Sequence, residues 1–195
     1  MAEVLFLTNN ENAMPLYEWI SERANTLLFK ERLDLETLKD IAPSLVVSYN
    51  YRYIVPADCI EYMGKRIINL HTSYLPWNRG SAPNIFSLIE DSPKGVTIHV
   101  MSAGLDTGDI ICQREVSFDL DKDTLKTSYD KLNSEITDLF KENWEMLRSG
   151  DYEGVKQTGT GSYHTMKDLE AYRAKIDFDY DDTLSDFIKK VRENI

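Results

Sequence analysis

The chain is 195 residues long and carries 33 acidic against 22 basic residues, a formal net charge of −11. That length suits one ordinary domain, and the acidic balance argues against broad nucleic-acid binding, because it repels phosphates at long range. Cys59 and Cys112 are too few for a disulfide framework and lack metal-site spacing, which favours a reducing compartment. The run Val4–Leu7 follows no basic segment and is too short for a leader or a membrane span, so a soluble cytoplasmic protein is expected.

Val4–Leu7, closed by Asn9 and Asn10, has the pattern of a buried strand entering a loop. Pro15, Leu16, Trp19 and Ile20 follow at helical spacing. Thr26–Phe29 reads as a second strand, and Leu35, Leu38 and Ile41 as one face of a helix that stops before Pro43. Residues 45–48 and 67–70 supply two more strands. Short apolar strands alternating with helices predict an α/β fold, a doubly wound, mostly parallel sheet with helices on both faces. Further along, the pattern predicts a short helix over 83–90 and strands over 96–100 and 110–118. Asp123 and Thr124 then cap a long helix over 124–148, whose apolar stripe can pack on the sheet or pair across a homodimer. Residues 149–163 hold four glycines and little periodicity and read as a loop. A last helix, over 183–191, has Asp182 at its N-cap. No repeat or linker divides the chain, so 1–195 is expected to form one domain, with 149–195 as a loop and C-terminal helical extension.

The segment IINLHTSYLPWNRGSAPN, residues 67–84, places Asn69 and His71 two apart at the end of an apolar strand. Alternate residues of a strand point to one face, so an oxyanion donor and a proton carrier would sit side by side. In parallel α/β sheets, ligands collect at such strand ends. A second polar stretch, KGVTIHVMSAGLDTGDIIC over 94–112, carries Asp106 in a loop between two strands, from which a carboxylate could orient an imidazole or a water. Taken alone, either group also reads as ordinary turn chemistry.

The blocks NLHTSYLPWNRGSAP, KGVTIH and GLDTGDII, in this order, resemble the 10-formyltetrahydrofolate-dependent formyltransferases, over at least residues 45–118. The resemblance implies the Rossmann-like formyltransferase fold and a catalytic trio of Asn69, His71 and Asp106. It also implies that Arg52, Tyr53 and Ile54, with Ser102, Ala103, Gly104 and Leu105, flank the folate ring of the formyl donor. Asn69 would donate to the oxyanion formed as an amine attacks, His71 would stabilise it or move the proton, and Asp106 would orient His71. His99 would lie behind this trio, and His164 would be a surface residue. The acidic stretch 178–186 lacks metal-site spacing, and no metal is expected.

The loop Pro76-Trp77-Asn78-Arg79-Gly80 is most similar to that of the sugar N-formyltransferases, where purine and tRNA enzymes usually carry lysine. Asn9 and Asn10 stand where glycinamide ribonucleotide enzymes have a glycine-rich phosphate loop. The expected acceptor is therefore the amine of a nucleotide-linked sugar, touched by Asn9, Asn10, Trp77, Asn78 and Arg79. A glycinamide ribonucleotide or other small-amine formyltransferase, a 10-formyltetrahydrofolate hydrolase and a non-catalytic folate-binding protein are the alternatives.

Overall fold

The structure, a computed structural model, describes residues 2–194. Its main sheet contains β1 (Val4–Leu7), β2 (Thr26–Phe29), β3 (Leu45–Tyr49), β4 (Ile67–His71), β6 (Gly95–Val100) and β7 (Ile110–Glu115), in the order β2-β1-β3-β4-β6-β7. The first four strands are parallel. β6 then runs antiparallel to β4, and β7 antiparallel to β6. The sheet is therefore mixed, with its parallel half in the first part of the chain.

Why the strands read as unbroken apolar runs is clear from their surroundings, since both faces are covered. On one face Phe6, Val47, Ile68 and Ile98 pack against α1 (Met14–Ser21), α5 (Leu125–Glu142) and α6 (Trp144–Ser149). On the other, Leu5, Val46 and Ile67 pack against α2 (Leu35–Ile41) and α3 (Ala57–Met63). A third apolar cluster joins α4 (Pro83–Ile89), the start of α5, α7 (Met166–Arg173) and α8 (Leu184–Asn194). Leu132, Ile136, Leu139 and Phe140 of α5 are buried against the sheet, so the helix's apolar stripe packs within the chain.

Three expected boundaries move. The long helix breaks at Asn143, whose side-chain amide donates to the Leu139 carbonyl and competes with the helical ladder. The strand expected to reach 118 ends at Glu115, although Val116 still bonds the Lys94 carbonyl. The cap of α8 is Thr183, whose hydroxyl accepts from the Asp186 amide at 3.1 Å, while Asp182 pairs with Lys190 at 2.7 Å. Helices α3 and α7 are additional to the elements predicted from the sequence.

The stretch expected as a plain loop is more ordered in its contacts than that word suggests. Ile110 and Val155 exchange backbone hydrogen bonds at 2.8 Å in each direction. Further on, β8 (Tyr163–His164) pairs in parallel with β5 (Arg79–Gly80) as a two-stranded sheet. His164 is not a surface residue: its ring stacks on Phe86 with centroids 3.8 Å apart and faces Glu90 at 2.8 Å.

Candidate active site

The register of β4 against β6 sets the site. Asn69 lies directly opposite His99, and His71 opposite Thr97. Strand alternation puts Asn69 and His71 on the same face as Ile67, while Ile68 and Leu70 face the other way into the α5 side. At the carboxyl end of β4 the helical cover gives way to the loops after β3 and β6, and the polar pair opens into a cleft of about 490 Å³.

Asp106 reaches the same point from the loop after β6. Its Oδ1 accepts from Asn69 Nδ2 at 3.2 Å, and its Oδ2 accepts from the Gly80 amide at 2.9 Å. His71 Nδ1 approaches Oδ2 to 3.7 Å, and His99 Nε2 approaches Oδ1 to 3.6 Å. The carboxylate side chain is only 10 % exposed. Burial on its own would raise the Asp106 pKa, but the charges of His71 and His99, the His99 hydrogen bond and the Gly80 amide together hold it well below the usual carboxylate range. Asp106 therefore stays an anion, and the backbone that carries it is left-handed, with φ of +51°.

The carbonyl partners fix one nitrogen of each ring as a donor, because a carbonyl only accepts. His71 Nε2 donates to the Asn78 carbonyl at 3.1 Å, which leaves Nδ1 facing Asp106. His99 Nδ1 donates to the Val100 carbonyl at 2.9 Å, so Nε2 is turned toward Asn69 Nδ2 at 3.3 Å. Asn69 Nδ2 thus sits between the Asp106 carboxylate, which accepts from it, and the His99 ring. His99 fixes the amide's orientation, a function that its position in the sequence did not disclose.

The cleft brings together most of the residues singled out above. Arg52, Tyr53, Ile54, Ser102, Ala103, Gly104 and Leu105 line it with Asn69, His71 and Asp106. Ile54, 88 % exposed, and Leu105, 50 % exposed, present apolar surface at its mouth. The acceptor-side group is placed differently, outside the lining of this cleft. Asn9 donates to the Lys30 carbonyl and accepts from the Arg52 amide, tying the ends of β1, β2 and β3 together. Asn10 caps the single 3-10 turn before α1. Asn78 was expected at the acceptor, but its side chain is fully buried and bonds Ser92 Oγ at 2.7 Å, so it shapes the loop from behind. Trp77 is exposed, and the Arg79 guanidinium donates twice to Gln157.

Two participants escaped the sequence reading: the Gly80 amide and Gln157. The signal for both lay in glycines. A Cβ on Gly80 would meet the His164 carbonyl at 2.3 Å, one on Gly161 the Pro76 carbonyl at 2.1 Å, and one on Gly154 the Asp109 Cβ at 2.5 Å. Clustered glycines in a polar stretch mark close backbone crossings as readily as free loop.

With the geometry described, comparison with known proteins becomes specific. The formyl transferase family profile matches residues 8–142, and the chain belongs to that family. It is 32 % identical over 148 residues to the dTDP-4-amino-4,6-dideoxyglucose formyltransferase of Mycobacterium tuberculosis, covering 76 % of this chain and 62 % of that one. The chain thus spans less than two thirds of the length of that relative. Methionyl-tRNA formyltransferase of Fusobacterium nucleatum is also 32 % identical, over 130 residues that make up 66 % of this chain and 42 % of that protein. Among solved structures, the formyltransferase PseJ of Anoxybacillus kamchatkensis superposes with a TM-score of 0.86 at 40 % identity, covering 96 % of this chain and 98 % of the other. That protein was solved with UDP-4,6-dideoxy-4-formamido-L-AltNAc and tetrahydrofolate. A sugar N-formyltransferase from Shewanella sp. superposes with a TM-score of 0.75 at 25 % identity, covering 98 % and 87 %. The fold is the formyltransferase Rossmann-like fold.

Proposed function

We propose that this protein transfers the formyl group of 10-formyltetrahydrofolate to the primary amine of a nucleotide-linked amino sugar. The observation that carries the reading is the convergence of Asn69, His71 and Asp106 at the floor of one cleft. The cleft's composition suits a flat heterocycle: apolar surface from Ile54 and Leu105 faces it, and the buried amide nitrogen of Asn50 in its lining has no hydrogen-bond partner among the described residues. Support for the acceptor class comes from the sugar formyltransferases to which the chain is similar, one of them solved with a UDP-linked formamido sugar.

When bound, the donor supplies a formyl carbon open to amine attack. Asn69 then presents an N–H to the oxygen on which negative charge gathers. A hydrogen bond to an ionised oxygen is stronger than one to a neutral oxygen, so this contact tightens as the charge builds. Because that gain appears only as charge develops, it lowers the barrier rather than tightening the ground state. His71, held through Nε2 by the Asn78 carbonyl, offers Nδ1 to the amine's proton, Asp106 stabilises the imidazolium that results, and His71 returns that proton to the departing folate nitrogen as its bond to the formyl carbon breaks. Asp106 is itself fixed by the Gly80 amide, so neither side chain has to reorganise during the step.

Trp77 and Arg79 sit on the loop that leads away from His71 and form the acceptor side in this proposal, with Asn9 and Asn10 after β1, which β3 separates from β4. A cytoplasmic setting fits the two free cysteines. No helix among the described residues is long and apolar enough to cross a membrane.

The test uses purified protein, 10-formyltetrahydrofolate and a panel of dTDP- and UDP-linked amino sugars. Donor consumption that requires one of these sugars is expected, with the formamide identified by mass. Transfer to glycinamide ribonucleotide alone, or formate release at a rate indifferent to any amine, would sink the proposal.

A further inference from the structure

Gln157 lies in the glycine-rich stretch, on none of the elements that carry the trio, yet its carboxamide joins both loops that hold Asp106. Its Nε2 donates to the Asp106 carbonyl at 2.8 Å and to the Gly108 carbonyl at 2.8 Å. Its Oε1 accepts from Arg79 Nε at 3.0 Å and Nη2 at 2.8 Å. One amide therefore uses both hydrogens on one loop and its oxygen on the other. The residue following Arg79 is Gly80, whose N–H donates to the Asp106 carboxylate, so the two loops close a ring around that group.

The need for such a clasp is visible in the backbone. Asp106 adopts a left-handed φ of +51°, a conformation that a non-glycine residue keeps only when its surroundings enforce it. Gly108 passes so near β6 that a Cβ there would lie 1.7 Å from the Val100 carbonyl. Between these two points the carbonyls of Asp106 and Gly108 turn toward Gln157 and are fixed together.

We propose that Gln157 is a positioning residue for the proposed formyl transfer: by bridging the 106–108 backbone to Arg79, it sets where the Asp106 carboxylate meets His71 and Asn69. This inference rests on the formyl-transfer reading for its kinetic arm, and it has a second arm that does not. The two ends of the amide act separately. Its nitrogen holds the carboxylate loop, and its oxygen holds the arginine on the acceptor side.

Two substitutions separate these ends. Gln157→Glu keeps an acceptor for Arg79 and removes the donor to the two carbonyls; Gln157→Leu removes both. In Gln157→Glu, kcat is expected to fall about 10- to 100-fold while KM for the amine stays within about threefold, as when a group that orients a reacting side chain is lost. In Gln157→Leu the same fall in kcat should be joined by a rise in amine KM, because Arg79 is released. Hydrogen exchange of the Gly80 amide, which donates to the Asp106 carboxylate at 2.9 Å, should quicken in both variants, with thermal midpoints near that of the wild type. An unchanged kcat in Gln157→Glu overturns the proposal, as does a fall in kcat that tracks a global loss of stability while the Gly80 amide stays protected. If the wild-type protein transfers formyl to no amine, the formyl-transfer reading has failed and exchange alone decides: unchanged protection of the Gly80 amide refutes the clasp, and faster exchange supports it.

Discussion

The carboxyl end of β4 and the stretch 154–164 meet at Asp106, and they are made in opposite ways. β4 places Asn69 and His71 by regular means: a central strand, apolar neighbours on both faces and a fixed register against β3 and β6. The stretch 154–164 has almost no apolar anchor of its own. It lies across the loops of the site through backbone pairing at Ile110–Val155 and β5–β8, through Gln157, and through glycines that permit the crossings. The difference shows that an active site can take its reactive groups from the core of a sheet and their alignment from a polar strap.

The comparison breaks hardest at the strand end. Replacing His71 with Ala should lower kcat for formyl transfer by about 10²- to 10⁴-fold, the usual worth of a positioned proton carrier, with the fold intact by circular dichroism. Turnover equal to wild type would show that the trio is misassigned. Asp106→Asn should impair turnover too, and it carries a signature in pH. The Asp106 pKa is lowered on folding, so the stability it contributes is complete above its unfolded value of about 4 and is lost as pH falls further toward the folded value. Denaturant unfolding from pH 6 to pH 3 should therefore show wild type losing stability relative to Asp106→Asn below about pH 4. A constant difference across that range would contradict the buried, charge-stabilised carboxylate.

A smaller effect is expected on the strap itself. Gly161→Ala puts a Cβ against the Pro76 carbonyl at a φ of +60°, and should cost about 2 kcal/mol of stability by thermal unfolding. It should also reduce turnover, because Ser162 and Arg79 are displaced together. Smallest is Thr165→Ala, which removes the cap of α7, where the hydroxyl accepts from the Asp168 amide at 3.3 Å. A loss of about 1 kcal/mol with unchanged kcat is expected. A fall in kcat there would mean that α7 reaches the site in a way its contacts do not show.

Legibility from sequence follows the same division. Val4–Leu7 and the apolar start of β4 could be read because a strand buried on both faces must be apolar throughout, and Asn69 and His71 stood out by interrupting such a run. Asp106 needed the resemblance, since Asp-Thr-Gly-Asp is also a common polar turn. Gln157 could not be read at all: its partners are 49 to 78 residues away, and two of the three are backbone groups without a side-chain signal. The break at Asn143 and the cap at Thr183 were hidden for a related reason. Each depends on which of several adjacent polar side chains wins a local hydrogen bond, and periodicity does not register that contest.

The pairing of Asn78 with Ser162 spans 84 residues of chain, and the link from Gln157 to Asp106 spans 51. Contacts closed over such distances cost the most chain entropy and form after local ones. A chain that has built its sheet but has not yet laid down 154–164 is therefore expected to hold its imidazole in place beside a carboxylate that still wanders. Recovery of catalysis during refolding should then lag behind recovery of the sheet, so that activity reports the closing of the strap.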